Sequence, residues 1–205
     1  STLSYATSNW NTAQTVTVYG VDDTLSDDNQ AFSVTLGSVT SSDANYAGKN
    51  PDDVRVTNVD NETASITVSA LSGNTTEMGG TATFTVVLDS QTASDVSIAV
   101  SSSDTSEATI SPSSLTFDSS NYSTLQTVTV TGVDDFYDDD NVSYTITVDP
   151  SSSITSYNTM TSSTVTGSNI DNDTAAITVG AKSGNTSEFG TTATINVTLA
   201  TIPNA

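Results

Sequence analysis

The chain contains one stretch of sequence twice, and this repetition indicates the fold. Gln14-Thr-Val-Thr-Val-Tyr-Gly-Val-Asp-Asp23 returns as Gln126-Thr-Val-Thr-Val-Thr-Gly-Val-Asp-Asp135, so Gly132 minus Gly20 gives an offset of 112. Further on, Asp60-Asn-Glu-Thr-Ala-Ser-Ile-Thr-Val68 returns as Asp171-Asn-Asp-Thr-Ala-Ala-Ile-Thr-Val179, an offset of 111. A period near 110 residues is too long for a solenoid or a propeller blade. It matches the size of an immunoglobulin-like sandwich.

Apolar residues alternate with Thr inside the repeated segments. Ala82, Phe84, Val86 and Leu88 occupy every second position, and the set returns as Ala193, Ile195, Val197 and Leu199. A period of two places such side chains on one face of a strand. We therefore predict an all-β chain of tandem immunoglobulin-like Greek-key β-sandwich modules with a repeat of about 111 residues. Strands are predicted near 64–70, 81–88, 95–102, 107–110, 115–117, 124–133, 142–149 and 163–168.

The repeat also predicts where the modules begin and end. Residues 1–60 would be the second half of one module, 61–172 a complete module, and 173–205 the first half of a further one. Trp10 and Tyr122 precede equivalent strands, and we expect both to fill the same end of a core. The half modules would leave apolar faces uncovered. Either the natural chain continues at both ends, or the tail of one copy completes the head of the next.

Composition excludes several kinds of partner and site. The 205 residues carry three basic and 24 acidic side chains, for a net charge of −21. This charge repels nucleic acid and anionic lipid, and no apolar run reaches the roughly 18 residues of a membrane span. There is no Cys for a disulfide, and no His to act as a general base or to bind zinc. Because the candidate acids recur in each module, we predict that the chain is not an enzyme.

The sequence resembles a known kind of module. Thr-Gly-Val-Asp-Asp at the end of a strand, followed some 35 residues later by Asn169-Ile-Asp-Asn-Asp-Thr174, resembles the tandem Calx-beta and cadherin-like modules of very large bacterial surface adhesins. The resemblance implies an exported, extracellular or cell-surface protein with calcium near the module junctions. The positions that match the family's acids are Asp22, Asp23, Asp60, Glu62, Glu77, Asp134, Asp135, Asp171, Asp173 and Glu188.

Calcium is also the cofactor that the chemistry of these residues favours. It takes six to eight oxygen ligands, which short Asp- and Asn-rich loops supply. If the strands bring Glu77, Asp134 and Asp135 to the same end as the following linker, Asp171 and Asp173 could complete a cage. The alternative is that Asp and Asn serve as turn residues on a solvated acidic rim. The run Asp138-Asp-Asp-Asn141 is predicted to be a hairpin tip and not a set of ligands.

The predicted function is that of a non-catalytic extracellular structural repeat of a large surface adhesin or fibre, made rigid by calcium at the module junctions. The expected partners are neighbouring modules of the same chain or head-to-tail copies of it, and neither nucleic acid nor a membrane. Two alternatives stay open. One is a self-assembling subunit of an extracellular filament or sheath, and the other is a β-sandwich module that binds extracellular polysaccharide.

Overall fold

A computed structural model of the chain describes residues 1–203, which are almost entirely β-strand and loop. The elements are β1 (Leu25–Ser26), β2 (Gln30–Val34), β3 (Val54–Asn58), β4 (Ile66–Val68), β5 (Thr75–Thr76), β6 (Thr81–Leu88), β7 (Gln91–Thr92), β8 (Val96–Ser102), β9 (Ala108–Ser111), β10 (Ser114–Phe117), β11 (Gln126–Gly132), β12 (Val142–Ser152), α1 (Thr155–Asn158), β13 (Ser163–Ile170), β14 (Ile177–Val179) and β15 (Val197–Leu199). None of the described residues forms a helix long enough to cross a membrane. The chain divides into two compact units, and the division falls between Glu62 and Thr63.

The first unit contains one antiparallel strand pair. β2 pairs with β3, with Phe32 opposite Val56 and Val34 opposite Val54. Residues 14–20 form no strand, although their sequence nearly equals that of β11. The strands that flank β11 are β6 and β9, and residues 1–13 contain no equivalents of them. The segment therefore has the propensity to form a strand, but it has no neighbouring strand to pair with.

The second unit is built around two sheets. A five-stranded sheet has the order β10-β8-β12-β13-β5, and a four-stranded sheet has the order β4-β6-β11-β9. One contiguous apolar core draws side chains from both sheets, so each sheet covers the apolar face of the other. The fully buried members of this core include Phe84, Val86, Val128, Val130, Val96, Ile98, Phe117, Ile146 and Tyr157.

The alternating pattern predicted the inner face of this unit correctly. Ala82, Phe84, Val86 and Leu88 are all at most 2 % exposed, while the Thr residues between them are only partly buried. Each predicted strand between 64 and 168 is present, with ends shifted by a few residues. Tyr122 packs against the core as expected. The expectation for Trp10 is wrong, because its side chain is 72 % exposed and no core forms beside it in the first unit.

The last strands pair in the same way as earlier ones. β14 pairs with β15 so that Ile177 lies opposite Leu199 and Val179 opposite Val197. β4 pairs with β6 so that Ile66 lies opposite Leu88 and Val68 opposite Val86. Each position differs from its counterpart by 111. The two pairs differ in burial, because Val86 is fully buried and Val197 is exposed. Asn204 and Ala205, which belong to the predicted last segment, lie outside the described residues.

The predicted module boundaries can be tested on fragments of the chain. We expect residues 61–172 alone to unfold in one cooperative transition, because they contain every strand of both sheets that share the core. Residues 1–60 alone should show no such transition, since they contribute only one strand pair to an uncovered face. Circular dichroism during thermal melting measures both. A gradual, sloping melt of the 61–172 fragment would contradict the boundaries.

Candidate metal centre

Acidic side chains gather where strands of both sheets of the second unit end. Glu77 follows β5, whose parallel pairing with the end of β13 places it beside the linker at 171–173. The Glu77 N–H donates a hydrogen bond to the Ile170 carbonyl (3.2 Å), and its Oε2 accepts one from the Asn172 N–H (3.0 Å). Asp134 and Asp135 follow β11, and Asp134 Oδ1 accepts a hydrogen bond from the Asn172 side chain (3.2 Å).

The carboxylates form two groups among the described residues. In each group, one carboxylate oxygen from every member lies within 4.8 Å of the others. The first group consists of Glu77, Asp171 and Asp173, all of which the sequence analysis named. The second consists of Asp135, which was named, and of Glu107 and Asp139, which were not.

A buried hydrogen-bond network positions Glu107, one member of the second group. The Val133 N–H donates to the Glu107 carbonyl (2.9 Å), and the Asn169 side-chain amide donates to Glu107 Oε2 (3.3 Å). Asn169 Oδ1 in turn accepts a hydrogen bond from the Thr75 hydroxyl (2.9 Å). That hydroxyl also lies 3.1 Å from the Tyr144 hydroxyl. The network fixes Glu107 beside the loop that follows β11.

Asp171 organises the loop that carries Asp139. Its Oδ2 accepts the backbone N–H groups of Asp139 (3.1 Å) and Asp140 (3.0 Å), and its Oδ1 accepts that of Asp173 (2.6 Å). Asp140 has a φ of 65°, in the left-handed region that tight turns use. Residues 138–141 form no turn, and β11 and β12 belong to different sheets. The run is therefore a loop between the sheets, and the hairpin tip predicted from the sequence is wrong. The loop places the Asp139 carboxylate next to Asp135 and Glu107, a group that the sequence analysis did not name.

The first unit repeats the same hydrogen bonds around Asp60. Its Oδ2 accepts the Asp27 N–H (3.1 Å), its Oδ1 accepts the Glu62 N–H (3.0 Å), and its own N–H donates to Asn29 Oδ1 (3.0 Å). Asp28 has a φ of 61°. Asp23, Asp60 and Glu62 line a small cavity of about 30 Å³. Burial and the neighbouring Asp60 raise the pKa of Glu62, and the charge of Asp22 adds a smaller increase. Glu188 is exposed and belongs to neither carboxylate group of the second unit.

The pKa values of the acids reflect burial and mutual repulsion. Burial raises the pKa of Glu77, and the charges of Asp171 and Asp135 raise it further. Burial likewise raises the pKa of Glu107 and of Asp139, and each also feels neighbouring carboxylates. The pKa of Asp171 is lowered, chiefly because its carboxylate accepts the Asp173 N–H. Crowded carboxylates of this kind are costly to ionise unless a cation neutralises them.

The second unit supplies no cation of its own at this end. The three basic residues are Lys49, Arg55 and Lys182, so no Lys or Arg occurs between 56 and 181. One buried carboxylate oxygen, Asp139 Oδ1, has no hydrogen-bond partner. Two groups of carboxylates and an unpartnered buried oxygen could hold a hard divalent metal ion with oxygen ligands.

Comparisons with known proteins identify no family. No family model matches the chain, and no curated protein matches its sequence. Among solved structures, SSP-19, an MSP-domain protein like family member of Caenorhabditis elegans, shares 14 % identity over 48 % of this chain and 94 % of its own, with a TM-score of 0.35. The E. coli chaperone DraB shares 12 % identity over 53 % of this chain and 55 % of its own, with a TM-score of 0.37.

The raised pKa values predict an unusual dependence of stability on pH. Glu77 and Glu107 keep protons in the folded chain that the unfolded chain releases above the ordinary pKa of 4.5. Their contribution to stability is therefore full below that value and is lost as the pH rises through the folded pKa. The contribution of Asp171 has the opposite sign and is lost only as the pH falls below its ordinary value of 3.8. Calcium-free chain should thus melt at a higher temperature at about pH 5 than at about pH 7.5.

Two substitutions sharpen this measurement. Glu107→Gln should flatten the pH dependence, because it removes one raised carboxyl. Asp118→Asn is the control, because Asp118 also caps a turn, through the Ser120 N–H (2.7 Å), but its pKa is lowered and no acid group surrounds it. A melting temperature of the calcium-free chain that rises from pH 5 to pH 7.5 would contradict the assignment.

Proposed function

We propose that the chain is a non-catalytic structural repeat of an extracellular surface adhesin or fibre, built from immunoglobulin-like sandwich modules and made rigid by calcium where modules join. The observation that carries the proposal is the repeated arrangement around the linker aspartates. Asp60 and Asp171 accept equivalent backbone N–H groups, from Asp27 and Glu62 in one unit and from Asp139 and Asp173 in the other.

Repetition of a whole architecture supports a structural role. The pairing of β14 with β15 follows that of β4 with β6, 111 positions earlier. The pairing of β2 with β3 follows that of β12 with β13: Gln30 opposite Asn58 corresponds to Val142 opposite Asn169. A tandem array of equivalent modules suits a spacer, because each module contacts its neighbours and extends the chain. The resemblance to Calx-beta and cadherin-like modules points in the same direction.

The position of the acids explains how calcium would act on such an array. Asp171 and Asp173 lie in the linker that leads out of one module, whereas Glu77, Glu107 and Asp135 belong to its strand ends and loops. An ion bound by both sets would tie the linker to the module and cancel the repulsion between the carboxylates. The residues that would hold it are Glu77, Glu107, Asp135, Asp139, Asp171 and Asp173, with Asp134 at the rim.

Thermal melting with and without calcium tests the proposal. We expect calcium to raise the melting temperature, because an ion that binds only the folded state stabilises it by about 2.7 kcal/mol per site at a hundredfold excess over the dissociation constant. Asp171→Asn should remove most of this gain, since it weakens the first group and loosens the loop of the second. Asp139→Ala and Glu107→Gln should each remove part of it.

Asp118→Asn is again the matched control. It should lower the melting temperature equally in calcium and in chelator, because Asp118 caps a turn away from the two acid groups. Identical melting curves of the unsubstituted chain in calcium and in chelator would refute the calcium site. They would leave the acids as turn residues on a solvated rim.

A further inference from the structure

The chain enters and leaves the two sheets of the second unit at opposite ends of β6. Just beyond the last residue of β6, the Ser90 hydroxyl donates a hydrogen bond to the Thr63 carbonyl (3.2 Å). At the other end of β6, Glu77 lies shortly before the strand and beside Asp171. β6 has eight residues, so its two ends are about 25 Å apart at about 3.3 Å per residue. Tension that reaches the unit through the chain on either side would therefore act along the strands.

The segment that enters the unit is bonded along most of the length of β6. β4 pairs with the last three residues of β6 in antiparallel order. Beyond β4, the Ser69 N–H donates to the Thr85 carbonyl (2.9 Å), and the Ser72 N–H donates to the Thr83 carbonyl (2.8 Å). Antiparallel hydrogen bonds run perpendicular to the strands. A pull along β4 would therefore strain these bonds together instead of one after another.

The same entering segment then pairs with the strand that leaves the unit. β5 runs parallel to the end of β13, with Thr75 opposite Asn169. The Glu77 N–H donates to the Ile170 carbonyl (3.2 Å), and the Thr75 hydroxyl donates to Asn169 Oδ1 (2.9 Å). Because β5 belongs to the entering segment and β13 to the leaving one, tension on the unit would slide these two strands past each other.

We propose that the second unit carries mechanical tension, and that the pairing of β5 with the end of β13, including the hydrogen bond between Thr75 and Asn169, is the part that resists it. We call this pairing the mechanical clamp. Sliding would break its bonds in one event, and resistance to forced unfolding depends on the height of the unfolding barrier. The inference rests on the role in an adhesin or fibre proposed above, since only such a role brings tension to both ends of the unit. It does not rest on calcium.

Burial makes the mechanical clamp harder to break than the bonds along β4. Thr75 and Asn169 are both fully buried, so water cannot replace their hydrogen bonds as the strands begin to slide. The Asn169 side-chain amide also donates to the Val133 carbonyl (2.9 Å), which ties the clamp to the other sheet. β11 passes so close that a Cβ on Gly132 would overlap Asn169 Oδ1. On β4, by contrast, Thr67 is exposed.

Single-molecule force spectroscopy tests the proposal by pulling the full chain in two directions. The chain has no Cys, so pairs of engineered Cys residues define the points of attachment. Thr63→Cys with Thr174→Cys pulls along the clamp, whereas Ser143→Cys with Thr166→Cys pulls β12 and β13 apart sideways. All four positions are exposed. In chelator, the unfolding force should be at least about twice as high along the clamp, because sideways pulling opens one bonded pair at a time.

Thr75→Val locates the resistance within the clamp. Val keeps the size of the side chain and removes the buried hydroxyl, which leaves Asn169 Oδ1 without this donor. At constant force, unfolding along the clamp should become about tenfold faster, because an unpaired buried polar group is costly. Sideways unfolding should accelerate by less, since there the barrier is crossed before the clamp is strained.

Asp118→Asn is the matched control. It weakens a turn that belongs to neither strand pair, so it should lower the melting temperature. It should leave the unfolding rate along the clamp unchanged, because its bonds are still intact at the barrier.

Equal unfolding forces in the two directions would overturn the proposal. So would a Thr75→Val variant that accelerates unfolding equally in both directions, since its hydroxyl would then serve only general stability. A calcium-dependent melting temperature together with equal forces would leave the proposed function standing and remove this inference alone. Higher force along the clamp in a chain whose melting temperature ignores calcium would keep this inference and remove the calcium site.

Discussion

The antiparallel pairing of β6 with β11 joins the first half of the second unit to its second half, with Ala82 opposite Val130 and Phe84 opposite Val128. These partners lie far apart in the sequence, so the contact forms only when both halves are present. β4 and β9 flank this pair in the same sheet, and the five-stranded sheet covers its apolar face. Each fully buried Val or Phe then contributes about 1.5–3 kcal/mol. Residues 14–20 show the converse, because they lack these neighbours and form no strand.

The cluster of acidic side chains at one end of the second unit depends on the same pairing between its two halves. Glu77 follows a strand of the five-stranded sheet, Asp135 follows β11 of the other sheet, and Asp171 lies in the linker after β13. Only a closed unit brings these three chain segments together. Their carboxylates oppose that closure through mutual repulsion, which adds to burial in raising the pKa of Glu77 and of Asp139. A divalent cation bound by these carboxylates would cancel their repulsion and connect the module to its linker. Binding would therefore make the junction rigid.

Much of the second unit could be predicted from the sequence, because the features that define its strands and turns lie within short stretches of the chain. The period of two identified the inner face of β6, and the repeated acids identified Glu77, Asp171 and Asp173. Glu107 was missed because only the hydrogen bond from Val133 and the buried Asn169 place it at the site. The sequence does contain one signal: Glu107 is one of four Glu in the chain, and the other three are all predicted ligands. The prediction for Trp10 was wrong because the core forms in the second unit and not beside Trp10.

Amide hydrogen exchange in the dilute, monomeric chain tests most directly whether partner strands, and not local sequence, form this fold. Residues 14–18 and 126–130 both read Gln-Thr-Val-Thr-Val, so their intrinsic exchange rates are nearly equal. We predict that 126–130 exchange only through global unfolding, at least about a thousandfold more slowly than 14–18. Equal protection of the two segments would show that residues 14–18 form a stable strand without the partners that β6 and β9 provide to β11. That result would contradict the dependence of this fold on the pairing between its two halves.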